Sequence, residues 1–191
     1  MSTDKNTAKL SAGNFIISLP SATNNDFLFS RAIALLVEHN NSETLGFILN
    51  KPTHLLLNEI VKETSSAFSI YYGGPVEQDS LFCIHQRPDL IPESKYISGD
   101  LYWGGDFEII FDLINSGQLT KNDIRFFLGY SGWGPQQLFS EFDSSFWKKV
   151  PTISNKDLFT LSSDESWKDA VIKLGERYQC FVNAPLDPTF N

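Results

Sequence analysis

The chain is poor in cysteine, histidine and positive charge, and each scarcity closes off a class of function. Two cysteines, Cys83 and Cys180, occur in 191 residues with no Cys-x-x-Cys pair. No disulfide framework or thiolate metal site is implied, and a reducing compartment fits. His39, His54 and His85 stand on separate segments without His-x-x-x-His spacing, so no metal centre is expected. Lys+Arg 15 against Asp+Glu 23 leaves a formal net charge of −8. That balance opposes a broad nucleic-acid footprint and an anionic membrane surface alike. No apolar run approaches the ~18 residues needed to span a bilayer. The early apolar stretch over residues 15–19 is shorter than the roughly 7–15 residues of a signal-peptide core. The expectation is a cytoplasmic protein without a membrane partner. A Gly-x-x-x-x-Gly-Lys-Ser/Thr phosphate loop is also missing, and no cofactor is expected.

What is present is ordinary globular material, with 41% hydrophobic residues, Gly 12 and Pro 9. A chain of this length buries roughly 70% of its unfolded surface and needs no covalent staples. Residues 1–12 are polar and aperiodic and read as a flexible N-terminal extension. From residue 13 to 191 no linker, repeat or charge block interrupts the pattern, so one domain is expected. Strand patterns fall over residues 15–19, 31–39, 44–51, 69–72, 81–85, 96–103 and 124–130. Helical spacing appears over 56–63, 106–116, 135–142 and 163–177. Asp106 is the expected N-cap and Gly117 the stop of the second helix. Pro135 stands at the first position of the third, and Ser162 and Glu165 have capping-box spacing before the fourth. Interleaved strands and helices define a mixed α/β class, with a large mixed sheet covered by helices.

The runs over 31–39 and 44–51 read as a hairpin through the loop 40–43. Unbroken register pairs His39 with Thr44 and Arg31 with Pro52. It places Ile33, Leu35, Val37 and Ile48 on one face and Leu36, Phe47 and Leu49 on the other. Arg31 then lies beside Asn50 and Lys51, a polar cluster suited to a carboxylate or phosphate. Glu38 and His39 fall roughly 23 Å away along the strand. Strand-end hydrogen bonding is the structural alternative for Arg31, Asn50 and Lys51.

Gly129-Tyr130-Ser131-Gly132-Trp133-Gly134-Pro135 suggests a strand entering a glycine-rich turn before a helix. Ser131 resembles a nucleophile placed on such a turn, but Trp133 stands where Gly-x-Ser-x-Gly requires glycine, and all three histidines precede Ser131. A second reading gives the backbone from Gly132 to Gln137 an anion-holding role at a helix N-terminus. Gly73-Gly74-Pro75 reads as a turn rather than a nucleotide cradle.

Several blocks occur together in a distinctive order: Gly13-Asn14-Phe15-Ile16-Ile17, Phe29-Ser30-Arg31, Gly46-Phe47-Ile48-Leu49-Asn50-Lys51-Pro52, Gly73-Gly74-Pro75-Val76, and Gly129-Tyr130-Ser131-Gly132-Trp133 with Gln137-Leu138. In this arrangement the chain resembles the YqgE/AlgH family of bacterial proteins. The final Leu186-Asp187-Pro188-Thr189-Phe190-Asn191 resembles an ending within one branch of it. The resemblance implies a large mixed sheet with a smaller α+β portion and a transcriptional-regulator label, and it implies no catalytic residues. The leading expectation is a non-enzymatic regulatory or binding protein acting through a protein partner or a small anion. An enzyme with a site between the Gly129–Gln137 turn and the Arg31/Asn50/Lys51 cluster is the alternative. Direct DNA binding is the third reading, opposed by the net charge.

Overall fold

The computed structural model describes residues 10–20, 29–144, 146–151, 153–159, 161 and 164–183. Most of the expected N-terminal extension, Ser162 of the expected capping box and residues 186–191 lie outside them. The strands are β1 (Phe15–Ser18), β2 (Ile33–His39), β3 (Thr44–Ile48), β4 (Pro52–Leu56), β5 (Ser69–Tyr72), β6 (Val76–His85), β7 (Ser94–Ser98), β8 (Leu101–Gly104), β9 (Ile124–Trp133) and β10 (Trp147–Val150). The helices are α1 (Leu57–Ile60), α2 (Phe107–Asn115), α3 (Gln137–Asp143), α4 (Asn155–Leu158) and α5 (Asp164–Lys173), followed by a 3-10 turn over Glu176–Phe181.

The strands form one curled sheet in the order β10-β1-β2-β3-β9-β6-β8-β7, with β4 and β5 off that path. Every ladder is antiparallel except β5 on β9, which makes the sheet mixed, as expected. The curl brings β7, at one end of this order, round to the start of β1 and to β2. A Cβ on Gly13, ahead of β1, would strike the Ser98 side chain at the end of β7. Lys95 of β7 pairs with Glu38 of β2 at 3.1 Å.

Alternation along the strands sends side chains to opposite faces. Phe127 joins Phe15, Leu35, Val37, Phe47 and Ile84 under Trp167, Ala170 and Val171 of α5. Its neighbour Phe126 joins Ile70 and Cys83 under Ile110, Phe111 and Ile114 of α2. A third cluster sets Ile16, Ala34, Leu36, Ile48 and Trp133 against Leu138 and Phe142 of α3. Helices therefore cover both faces, which is why the strands carry so few polar positions.

The structure revises several local expectations. The hairpin register holds for His39–Thr44 and Glu38–Leu45, then shifts by one: Leu36 faces Gly46, Leu35 faces Phe47 and Ala34 faces Ile48. A β-bulge at Val37 absorbs the extra residue. One inserted residue exchanges the faces of the partner strand, so Phe47 and Leu49 pack with Ile33 and Leu35, while Ile48 packs with Leu36. The expected strand over 96–103 is a hairpin, β7 and β8, turning through Gly99 at φ +55°. The expected helix over 56–63 is the single turn α1, which buries Leu57 alone. Asp106 caps α2 as expected, accepting from the Glu108 and Ile109 amides, and Gly117 leaves the helix at φ +73°. Gly175, at φ +109°, breaks the last helix earlier than expected and opens the 3-10 turn.

Candidate functional site

The first candidate cluster is built from the base of the β2–β3 hairpin. Asn50 is buried, and its side-chain carbonyl accepts from the Ile33 amide at 2.8 Å. Its amide group donates to the Arg31 carbonyl at 2.8 Å. This bracing holds Arg31 in a left-handed conformation, φ +52°, that residues with a Cβ rarely adopt. Asn50 is therefore committed to the strand end, the structural alternative read from the sequence.

Arg31 points the other way, toward α5. Its Nη1 donates to the Asp164 carboxylate at 2.8 Å, and its guanidinium lies 5.3 Å from the centre of the Trp167 ring. Trp167 is itself fixed, because its indole N–H donates to the Ser18 carbonyl at 2.9 Å. The Arg31 side chain is only 10% exposed, against 37% for Asp164. Burial lowers the pKa of the neighbouring Lys51; Asp164 pulls it back up and Arg31 pushes it further down. The Lys51 amine makes no hydrogen bond to a described residue. Asp164 thus acts on both cations.

Below this cluster lies a residue that sequence reasoning passed over. Arg125 of β9 is buried, with Nη1 donating to the Leu49 and Leu161 carbonyls at 2.8 and 2.7 Å. Its Nη2 donates to the Phe159 carbonyl at 2.6 Å, and its guanidinium stacks 4.0 Å from the Tyr71 ring centre. Burial lowers its pKa to about 10, and Tyr71 partly offsets that. The signal was a lone cation inside the apolar run Ile124-Arg125-Phe126-Phe127. Its role is to tie Phe159 and Leu161 to the sheet.

The glycine-rich stretch is not the turn its composition suggests. Gly129 through Trp133 belong to β9, with Ser131 opposite Gly46 and Gly132 opposite Leu45. Ser131 is fully buried and its hydroxyl donates to the Gly73 carbonyl at 3.1 Å, a geometry closed to a nucleophile. Gly73 and Gly129 serve one backbone crossing. A Cβ on Gly73 would collide with the Gly129 carbonyl, and one on Gly129 would lie 2.5 Å from the Gly74 carbonyl. The two glycine blocks therefore report a close approach where β3 and β5 share the same edge of β9.

Gly132 likewise lies on a strand and not at a helix N-terminus. The helix after it begins at Gln137, behind Gln136 at φ +63°, and is only 7 residues long. The Gln137 side chain is engaged locally: its Oε1 accepts from the Gly134 amide at 3.0 Å and its Nε2 donates to Glu141 at 2.9 Å. Pro135 precedes the helix by two residues instead of opening it. This end also holds His39, whose Nδ1 lies 2.7 Å from the Thr44 hydroxyl, beside a cleft of about 220 Å³ under Phe139. Because Trp133 pairs with Thr44, the Gln137 end sits at the hairpin tip. Arg31 sits at its base, roughly 20 Å away at ~3.3 Å per residue. The structure does not bring the two clusters into one site.

Among the described residues, a serine–histidine pair joins His85 Nε2 and Ser94 Oγ at 3.0 Å. The Arg87 amide donates to His85 Nδ1 at 3.1 Å, so the neutral ring carries its proton on Nε2 and donates to Ser94. Ser94 passes its own proton to the Ile91 carbonyl at 2.6 Å. Burial lowers the His85 pKa to about 4, which keeps the ring neutral and the chain of donors structural. The buried Cys83 thiol is pushed up to about 12 by desolvation and donates to the Gly104 carbonyl, so it is not a reactive thiolate. Among the described residues no group of three His, Cys, Asp or Glu side chains could hold a metal ion. Among them, too, no helix is long and apolar enough to cross a membrane.

These features define a mixed α/β protein with a curled sheet, a cation pair at one hairpin end and a glycine crossing at its centre. The AlgH-like (DUF179) family model matches residues 15–179, and the chain belongs to that family. It is 40% identical over 184 residues to a protein of Cytophaga hutchinsonii described as a UPF0301 protein, covering 95% of this chain and all of that one. The solution structure of the AlgH protein from Pseudomonas aeruginosa superposes with a TM-score of 0.70 at 26% identity, covering 97% of both chains. A crystal structure from Corynebacterium diphtheriae shares the fold with a TM-score of 0.73 at 19% identity, covering 92% and 93% of the two chains.

Proposed function

We propose that this chain is a non-enzymatic, cytoplasmic regulatory or binding protein, acting through a small anion or a protein partner received at Arg31 and Lys51. The observation that carries this reading is the proximity of two cations at the hairpin base, Arg31 bonded to Asp164 at 2.8 Å and Lys51 within electrostatic reach of both, its amine without a hydrogen bond to a described residue. Elsewhere the polar groups flagged in the sequence are engaged, Ser131 with Gly73 and Gln137 with Gly134 and Glu141. The regulator label fits an indirect role better than direct DNA contact, because a net charge of −8 repels phosphate backbones.

Calorimetric titration with inorganic phosphate, citrate and acidic peptides tests the reading. Binding weakened at least tenfold by Lys51→Met supports it; absence of binding by every anion overturns it. A mobility-shift assay at ~150 mM salt is expected to show no DNA complex.

A further inference from the structure

The opposite end of the hairpin holds a cleft that the anion reading leaves unused, between the loop 40–43 and the segment 134–139. We infer that this cleft binds a small neutral polyhydroxyl compound, one sugar ring in size. None of its residues belongs to the Arg31 and Lys51 cluster, so either site can fail without the other.

Both walls are fixed before any ligand arrives. In the loop, the Asn40 side-chain carbonyl accepts from the Ser42 and Glu43 amides at 2.8 and 3.1 Å, and the Asn40 backbone amide donates to the Glu43 carbonyl at 3.0 Å. Opposite, Glu141 accepts from the Trp133 and Trp147 indoles at 2.9 and 2.7 Å and from Gln137, whose side chain also takes the Gly134 amide. Thr44 pairs with Trp133 and so joins the two walls. Its hydroxyl lies 2.7 Å from His39 Nδ1, and the imidazole makes a T-shaped contact with Phe139. Binding groups carried on such a frame are preorganised.

The cleft-lining side chains are open to a ligand. Those of Asn41, Glu43 and Gln136 make no hydrogen bond or ion pair to a described residue, and the Asn40 amino group and His39 Nε2 are likewise open. Because the Gly134 amide is already taken, the contacts on offer are side-chain contacts. Gln136 stands at φ +63°, a left-handed conformation that favours glycine, so a long polar side chain is kept there at a cost in backbone strain. Strain of this kind collects at ligand contacts.

Composition selects the ligand. Among the described residues no lysine or arginine lines the cleft, and Glu43 is its one acidic side chain, which disfavours an anion. A single exposed carboxylate holds a cation weakly. Carboxamides outnumber it. Asn41 and Gln136 each offer a donor and an acceptor side by side, as neighbouring hydroxyls of a sugar require, Asn40 adds donors, and Glu43 accepts. Pro135 and Phe139 supply apolar surface for the C–H side of the ring. A volume of about 220 Å³ falls below that of sites for drug-sized ligands, which limits the occupant to one ring.

Methyl α-glucoside, methyl α-galactoside, methyl α-mannoside, N-acetylglucosamine and myo-inositol are titrated into the full chain, with acetate and methylammonium as charged controls. The His39 ring and Gln136 side-chain resonances are followed together with saturation transfer to each probe. At least one neutral probe should shift both residues saturably, while acetate leaves them unmoved. That probe should bind about tenfold more weakly to Gln136→Gly, and about threefold more weakly to Asn41→Ala on the exposed loop. Thermal unfolding checks that the variants are folded; Gln136→Gly should melt close to wild type, since glycine is at ease at that φ. No saturable shift by any neutral probe overturns the assignment. Binding of equal strength in wild type and both variants places the probe elsewhere and overturns it as well. Saturable shifts by methylammonium that vanish in Glu43→Gln, with none by the neutral probes, replace the polyhydroxyl ligand with a cation.

Discussion

The two ends of the β2–β3 hairpin are both rich in polar groups, yet they are held by different means. At the tip the groups of the turn find partners close by in the chain, although Glu38 beside them reaches Lys95 of β7. Asn40 accepts from the Ser42 and Glu43 amides, His39 meets Thr44, and Gln137 meets Gly134 and Glu141. At the base the partners come from far away. Arg31 bonds Asp164, Trp167 bonds Ser18, and Arg125 gathers carbonyls from Leu49, Phe159 and Leu161. The tip closes on itself as a turn, while the base exists only after the C-terminal helices dock. A site whose cations meet their carboxylate only on docking can also respond to docking, which is why the functional reading falls there.

The largest test of this contrast is Arg125→Met. It leaves three carbonyls without their donor and should cost about 3–4 kcal/mol in urea unfolding. Arg125→Lys should recover less than half, since an ammonium cannot reproduce the fork. A loss under about 1 kcal/mol would remove the distinction between the two ends.

His85 separates sequence distance from burial. Its partners Arg87 and Ser94 are close in the chain, yet the ring is fully buried. Its folded pKa of about 4 lies below the ordinary value of 6.5, so the neutral ring stabilises the fold fully above pH 6.5. That contribution disappears as pH falls toward 4 and amounts to about 3 kcal/mol. Chemical denaturation across this range should show a flatter profile for His85→Gln than for wild type. Parallel profiles would mean that burial does not hold the ring neutral.

Asn50→Leu removes the bonds to Ile33 and Arg31 and should cost about 2 kcal/mol. It should also weaken phosphate binding by freeing the Arg31 backbone; intact binding would show that the left-handed turn is not needed for the site. Gln137→Ala, at the exposed tip, should cost less than about 1 kcal/mol and leave phosphate binding unchanged. A larger effect on binding would couple the two ends.

Much of the fold was legible because its signals are short-ranged. The strand over 69–72 matches β5, and Asp106 and Gly117 bound α2, because a cap and a left-handed stop act within one turn. The polar grouping of Arg31, Asn50 and Lys51 was also visible, since it follows from the hairpin alone. The bulge at Val37 was not, because an apolar residue in an apolar strand carries no mark of being the extra one. Ser131 looked chemical because glycine on both sides mimics a turn; the crossing against Gly73 explains the same residues without chemistry.

Composition, periodicity and caps therefore determined the class, most elements and one half of the candidate site. Tertiary structure decided which face Phe47 and Ile48 occupy, which carbonyls Arg125 binds, and that Asp164 neutralises Arg31. The reason is physical. Helix and strand signals are summed over neighbouring residues, whereas pairing across more than a hundred residues depends on the register of the whole sheet, and a single inserted residue resets it.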